Sequence, residues 1–125
     1  MNFEIRATTA LERDLKRLAR KYRRLGTDYA VLLSELRADP RAGEAIPGFA
    51  DQVFKIRLAS SDMKKGKSGG FRVIYYLDEA AHIVWLLTIY AKSEQENPNP
   101  VELQDALAEL SGLTAQPQDA TPDET

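Results

Sequence analysis

With 125 residues and 43% hydrophobic content, the chain can form one domain around a modest core. It contains no cysteine, which excludes disulfides, thiolate metal sites and cysteine nucleophiles and fits a reducing cytoplasm, where we expect the protein to act. No apolar run approaches the ~18 residues of a membrane-spanning helix, and the first residues lack the basic-then-apolar pattern of a signal peptide, so no membrane contact is expected.

The formal net charge of −2 conceals a strong segregation of charge. Residues 1–24 carry eight basic and three acidic groups, and residues 55–93 carry seven and three. Residues 94–125 carry eight acidic groups and no basic one. Because a charged partner senses the local field within about one Debye length, roughly 8–10 Å, an acidic overall balance does not exclude a site for a polyanion.

The amino-terminal part of the sequence predicts a strand followed by two helices. Residues 2–7 alternate between apolar and charged side chains, as in a short strand. Thr9 opens a capping-box spacing, and leucines at steps of three and four predict a helix from there to about Arg24. Gly26 is expected to end this helix, and a second helix is predicted over about 28–38. Two helices joined by a short turn form a helical hairpin.

The second half predicts three strands and a helix. Residues 52–59 alternate, and residues 71–77 and 83–91 are rich in β-branched and aromatic side chains. A short helix follows at about 100–111, with leucines on one side. The order β-α-α-β-β-β-α indicates an α+β fold, a small antiparallel or mixed sheet with the amino-terminal helical hairpin packed on one face. We assign the domain to residues 1–112 and expect an acidic, disordered tail at 113–125.

Basic side chains gather on two of the predicted strands. Lys55 and Arg57 lie two residues apart, so both project from one face of their strand, and Arg72 begins the next strand. A solvated strand face is the simpler interpretation of the first pair alone. Three cations on one sheet surface repel each other, however, and such a surface is better explained by an anionic ligand.

The loop between these strands adds three more cations, Lys64, Lys65 and Lys67. Loop lysines often serve only solubility, but the glycines among them would let the backbone approach a phosphate closely. The Gly-Lys-Ser sequence is not a Walker motif, because it lacks the earlier glycine and no helix is predicted to follow. The first helix carries a further dense basic face, which is either solvated or in contact with RNA or an acidic partner; its candidates are Arg17, Arg20, Lys21 and Arg24.

The catalytic options are narrow. No Asp, Glu or His cluster has the spacing of metal ligands, no cofactor is expected, and the single histidine, His82, is placed in a hairpin turn at the surface. Among the aromatic residues, which more often form core, Tyr90 is singled out because it ends its strand beside Lys92. Cations and a tyrosine fit RNA cleavage in which the substrate's own 2′-hydroxyl attacks the adjacent phosphate while the protein supplies positive charge.

Three segments resemble one known family. The sequence GKSGGFRVIYY at 66–76, followed by LLTIYAKSE at 86–94 and preceded by FKIRL at 54–58, resembles the RelE/ParE toxin superfamily, and most closely its HigB-like branch. The resemblance extends over about residues 1–110. These small bacterial proteins are the toxins of type II toxin–antitoxin pairs. Many of them cut mRNA in the ribosomal A site, and another branch inhibits DNA gyrase without nuclease activity.

The resemblance implies roles for individual residues. Lys55 and Arg57 match the basic pair that grips mRNA, Arg72 matches the arginine that stabilises the transition state, and Lys92 lies in the strand-end motif near the scissile phosphate. The chain departs from the RelE pattern at Ser93, where those enzymes carry another arginine, and a downstream tyrosine is missing. Tyr90 is the substitute for that base, although an ordinary tyrosine pKa near 10 makes it a poor one.

The sequence therefore predicts a toxin that acts as a ribosome-dependent mRNA endonuclease. Its candidate catalytic residues are Arg57, Lys67, Arg72, Tyr90 and Lys92, and its candidate RNA or ribosome contacts are Lys55, Lys64, Lys65 and the four basic residues of the first helix. The expected partners are the ribosome, mRNA and a cognate antitoxin, itself a small DNA-binding protein. Two alternatives stay open, a gyrase-inhibiting toxin of the same fold and a non-catalytic RNA-binding module.

Overall fold

The computed structural model describes residues 3–62 and 69–114. The chain order of elements is β1 (Glu4–Ala7), α1 (Thr9–Lys21), α2 (Leu25–Ala38), β2 (Glu44–Ala45), β3 (Val53–Leu58), β4 (Phe71–Asp78), β5 (Ile83–Ala91) and α3 (Pro100–Thr114). The strands form a five-stranded sheet in the order β1-β5-β4-β3-β2. β1 runs parallel to β5 and all other pairs are antiparallel. The predicted α+β fold with a mixed sheet is confirmed.

The start of α1 differs by one residue from the prediction. Thr8, not Thr9, is the N-cap: its backbone is extended and its hydroxyl accepts from the Leu11 N–H at 3.1 Å. Thr9 instead bonds the carboxylate of Glu109 in α3, which accepts from both its N–H and its hydroxyl. Two adjacent threonines offered two equivalent caps, and the tertiary contact with Glu109 decides between them.

The boundary between the helices was also predicted wrongly. α1 ends at Lys21 and α2 already begins at Leu25, so Gly26 lies inside α2 and is not the cap of α1. Leu25 is fully buried, and its burial gives the physical reason: starting the helix there turns an apolar side chain into the core. The predicted end of α2 before Pro40 agrees with the structure, where the helix ends at Ala38.

The two faces of the sheet bury separate clusters. On one face the α1–α2 hairpin packs its leucines against inward-facing residues of β3, β4 and β5, as predicted; the largest are Leu11, Leu18, Leu25, Leu32, Leu36, Phe71 and Tyr75. On the opposite face α3 packs Leu103, Ala106 and Leu110 against the sheet. The sheet is therefore covered by helices on both sides, but α3 lies against β5, and among the described residues no helix covers the β3 side of that face.

Two smaller features differ from the prediction: β2 was not predicted, and α3 was predicted too short. β2 consists of two residues that pair with Phe54 and Lys55, too short to leave a pattern in the sequence. α3 continues to Thr114, two residues beyond the predicted domain end, and the remainder of the predicted acidic tail lies outside the described residues. Within residues 3–62 and 69–114, no helix is long and apolar enough to cross a membrane.

Candidate nucleic-acid interface

Three candidate residues lie side by side across the sheet. Arg57 of β3 is the register partner of Arg72 in β4, and Arg72 is the register partner of Tyr90 in β5. Directly opposed residues of antiparallel strands project from the same face, so the three side chains form one row, which we call the arginine row. Lys55 lies in the adjacent row on the same face, opposite Ile74. The structure thus brings together residues that the sequence separates by up to 35 positions.

The electrostatics of the arginine row are unusual for a strand pair. Like charges directly opposite each other destabilise a sheet, yet Arg57 and Arg72 occupy such a pair. Among the residues that the structure describes, neither arginine nor Lys55 forms an ion pair with a carboxylate. Repulsion that no described carboxylate offsets is relieved when an anion binds, which is what the sequence led us to expect of this surface.

Arg72 is buried, with 6% of its surface exposed, whereas the sequence placed it at the exposed start of a strand. Its Nη1 donates to the carbonyl oxygens of Gly69 at 3.0 Å and Phe71 at 3.2 Å. Two acceptors use only part of the five donors of a guanidinium. The side chain is therefore held in place by backbone, and the described residues occupy only some of its donors, an arrangement suited to bind a phosphate in a fixed geometry.

Tyr90 is also buried, and its environment argues against the role of base. Burial is the main cause that raises the pKa of its hydroxyl; Arg72 opposes this with a smaller effect, and Glu96 adds a still smaller rise. The buried hydroxyl has no hydrogen-bond partner in the described part of the chain. A neutral phenol is a hydrogen-bond donor, so Tyr90 is poorly suited to accept a proton. Because its hydroxyl is buried, it reaches an anion beside Arg72 only when the side chain moves.

Lys92 follows directly after β5 and is held by two groups of one residue. Its ammonium lies 3.1 Å from the carboxylate of Glu96 and 3.4 Å from the carbonyl oxygen of the same residue. Its backbone N–H donates to Gly70 at 3.0 Å, which joins the end of β5 to the start of β4. A nucleic acid that contacts the Lys92 side chain must therefore compete with Glu96.

The lysine loop is anchored at both ends. Ahead of it, the Ser61 N–H donates to Asp28 at 2.8 Å, and Asp62 accepts from the Arg24 N–H at 2.8 Å. Behind it, Gly70 adopts φ +70°, and a Cβ there would lie 2.5 Å from the Leu58 carbonyl oxygen. The glycine at this position is required by the turn itself. Lys64, Lys65 and Lys67 lie outside the described residues, so their predicted roles stay predictions.

The basic residues of α1 lie away from the arginine row, on the solvent side of that helix. Arg17 and Lys21 both face the carboxylate of Glu94, at 3.5 Å and 3.9 Å. Arg20 and Arg24 are exposed. Arg24 lies beyond the end of α1, as the N-cap of α2, so Arg17, Arg20 and Lys21 are the predicted contacts that form a second cationic surface on α1. Glu94, three residues beyond the end of β5, partly neutralises this surface. The sequence alone does not indicate this pairing, because Glu94 lies more than 70 positions from both cations.

A pair of carboxyl groups between α1 and α3 was also missed. Asp14, 8% exposed, lies beside Glu102, and Arg13 contacts both, with Nε 3.7 Å from Asp14 and Nη2 3.0 Å from Glu102. Burial, and after it Glu102, raises the pKa of Asp14 to about 7. The position of Asp14 on the inner side of a predicted helix was the feature of the sequence that could have indicated a buried carboxyl group. No group of three or more His, Asp or Glu residues in the described ranges could hold a metal ion.

Solved structures show where this fold is found. A mutant of the E. coli toxin RelE in the free state matches with a TM-score of 0.56 at 16% identity, over 87% of this chain and 94% of that one. The toxin–antitoxin complex RelBE2 from Mycobacterium tuberculosis matches with a TM-score of 0.56 at 23% identity, over 73% of this chain and 99% of the matched chain. No protein-family model matches the sequence. The resemblance to the RelE/ParE superfamily is confirmed at the level of the fold, and the HigB-like branch stays a prediction.

Proposed function

We propose that this protein is the toxin of a type II toxin–antitoxin pair and that it cleaves mRNA on the ribosome. The observation that carries the proposal is the arginine row, two directly opposed arginines without a described carboxylate partner, bordered by Lys55 and by the free hydroxyl of Tyr90. The fold shared with RelE and with the RelBE2 complex supports the assignment to toxins and a cognate antitoxin as partner. We expect both to act in the cytoplasm.

The proposed chemistry places the scissile phosphate over the arginine row. The 2′-oxygen of the preceding ribose attacks phosphorus, the bond to the 5′-oxygen breaks, and the products are a 2′,3′-cyclic phosphate and a 5′-hydroxyl that takes up a proton. Arg57 and Arg72 offset the charge that develops on the phosphorane oxygens, and Tyr90 donates a hydrogen bond to one of them. Lys67 and Lys92 are the further catalytic candidates, and their proposed role is to stabilise the leaving oxygen.

No described residue of the arginine row is suited to accept the proton of the 2′-hydroxyl, since its members are two arginines and a neutral tyrosine. We therefore assign that proton to water or to ribosomal RNA, and most of the rate enhancement to orientation. Well-oriented reactions gain on the order of 7–11 kcal/mol from positioning alone. The ribosome fixes the mRNA, and this dependence is why we expect free mRNA to be cut poorly.

The test is a translation-coupled cleavage assay with purified ribosomes. Ribosome-loaded mRNA should be cut readily and free mRNA barely, and a single 2′-deoxynucleotide at the scissile position should block the cut, because it removes the nucleophile. Efficient cleavage of the deoxy substrate would overturn the mechanism. A DNA supercoiling assay beside it tests the gyrase-inhibiting alternative, which predicts activity there and none on the ribosome.

A second function is favoured by a specific observation. Lys92 is held by Glu96, and Tyr90 combines a raised pKa with a buried hydroxyl, so the chain has the cations of an RNA-binding surface with little acid–base equipment. A non-catalytic RNA-binding module needs no more than this. It predicts salt-dependent binding to RNA or ribosomes without any cleavage product, which the same assay detects.

A further inference from the structure

Glu94 bridges two cations of α1. Its N–H donates to the Ala91 carbonyl oxygen at 2.9 Å, so the residue is fixed in the turn that follows β5. One carboxylate oxygen lies 3.5 Å from Arg17 Nη1 and the other 3.9 Å from Lys21 Nζ. The two cations are one helical turn apart, and a single carboxylate that faces both occupies the position in which a phosphate would contact them.

The short segment 92–96 lies between the two cationic surfaces. It begins two residues after Tyr90, at the end of the arginine row, and reaches α1 through Glu94. Within it Glu96 holds Lys92 in the same way, with its carboxylate 3.1 Å from the ammonium. A polyanion that lay across both surfaces would thus meet the two carboxylates together with the cations that they pair with.

These ion pairs are of the kind that a ligand can exchange. The side chain of Glu94 is 32% exposed, and those of Arg17 and Lys21 are 54% and 65% exposed. Exposed pairs stabilise a protein only weakly, because water and salt screen them. A phosphate held in the correct place can therefore displace Glu94, whereas a flexible strand that gains a few transient contacts loses part of that gain to the competition.

From this geometry we infer that Glu94 is a specificity-determining residue that opposes the binding of free single-stranded RNA. The inference rests on the proposed function, because that function requires the protein to select RNA held in one fixed position on the ribosome over free RNA. A substrate on the ribosome is held at high local concentration and displaces the carboxylate. Free RNA is not held at a high local concentration, and it therefore binds poorly.

The test compares Glu94→Gln with Glu79→Gln. Glutamine keeps the shape and removes the charge, and Glu79 is a matched control because it pairs with Arg41 at 2.7 Å in the turn after β4, remote from Glu94 along β5. The probe is a labelled 20-nucleotide oligouridine, measured by fluorescence anisotropy from 50 to 200 mM KCl, with thermal melting to verify that both variants are folded.

We expect Glu94→Gln to bind the oligonucleotide three- to tenfold more tightly at 50 mM KCl, and Glu79→Gln to stay within about twofold of the wild type. Two released cations should also steepen the slope of log affinity against log salt by about 1.4, since each phosphate contact in a single strand contributes about 0.7. Equal affinities and slopes for the two variants would overturn the inference.

Activity on the ribosome separates this inference from the proposed function. If Glu94 determines specificity, Glu94→Gln should gain affinity for free RNA while its cleavage of ribosome-loaded mRNA changes less than twofold, because the high local concentration there already saturates the site. An equal gain on both would show that Glu94 lowers affinity in general and would overturn the assigned role. If the wild type cuts nothing on the ribosome, the proposed function fails, but the oligonucleotide comparison still decides whether Glu94 competes with RNA.

Discussion

The carboxyl pair between α1 and α3 makes the stability of this protein depend on pH. Asp14 titrates at about 7 in the folded chain, against 3.8 for an ordinary aspartate, because it is buried beside Glu102. The folded state therefore holds this proton more tightly than the unfolded state. The stabilisation is complete below about pH 4, is lost as pH rises towards 7, and is absent above that.

The size of the effect follows from the shift. Three pKa units correspond to roughly 4 kcal/mol as a ceiling, at about 1.36 kcal/mol per unit. Arg13 is 64% exposed and the Glu102 side chain 23%, so solvent screens the pair and we expect about 1–3 kcal/mol. Asp14→Asn should remove this dependence, since an amide donates to Glu102 at every pH and does not titrate. The variant should equal the wild type near pH 4 and exceed it by about 1–3 kcal/mol at pH 8.5.

Urea unfolding followed by circular dichroism at four values between pH 4.5 and 8.5 measures this difference. The relevant quantity is the free energy of unfolding of the variant minus that of the wild type, because other titrating groups cancel in it. Asp105→Asn, on an exposed position of α3, is the control and should give a difference that is flat with pH. A flat difference for Asp14→Asn, or a loss of stability at pH 8.5, would refute the reasoning.

Three further predictions concern the site. Arg72→Lys keeps a charge but loses the planar fork, so cleavage of ribosome-loaded mRNA should fall at least about 10²-fold while the protein stays folded, and normal cleavage would contradict the assigned role. Arg72→Ala should in addition lower the free energy of unfolding by about 1–3 kcal/mol, because the buried carbonyls of Gly69 and Phe71 lose their donor; thermal melting measures this. Neutralising Lys64, Lys65 and Lys67 together should weaken RNA affinity and flatten the salt slope by about 0.7 per lysine, and an unchanged slope in a filter-binding titration would assign them to solubility alone.

The strands of the site could be predicted from the sequence because their patterns are local. Alternation placed Lys55 and Arg57 on the face opposite to Phe54 and Ile56, and the structure agrees. The convergence of Arg57, Arg72 and Tyr90 in one row depends on strand register, which the sequence indicated only through the shared loop.

What the sequence could not provide is burial by distant elements. The positions of Arg72 and Tyr90 at strand ends did not indicate that both are buried. Tyr90 packs in the cluster that includes α3, and a carbonyl at the loop end accepts from Arg72. The same limit applies to Glu94, whose partners Arg17 and Lys21 precede it by 77 and 73 positions. It also applies to Asp14, which lies 88 positions before Glu102. Charge patterning along the chain showed where acidic and basic groups accumulate but not which of them pair.

The bond from Thr9 to Glu109 ties the first helix to the last across 100 positions, and β1 finds its partner only in β5. Contacts that close loops of that length form late in folding, because the loss of chain entropy comes before the contacts that offset it. During synthesis, β1 therefore cannot pair with β5, and α1 cannot bond Glu109, until most of the chain has been made. The arginine row is likewise incomplete until β5 has emerged. A nascent chain therefore cannot assemble the arginine row before residues 83–91 have been made.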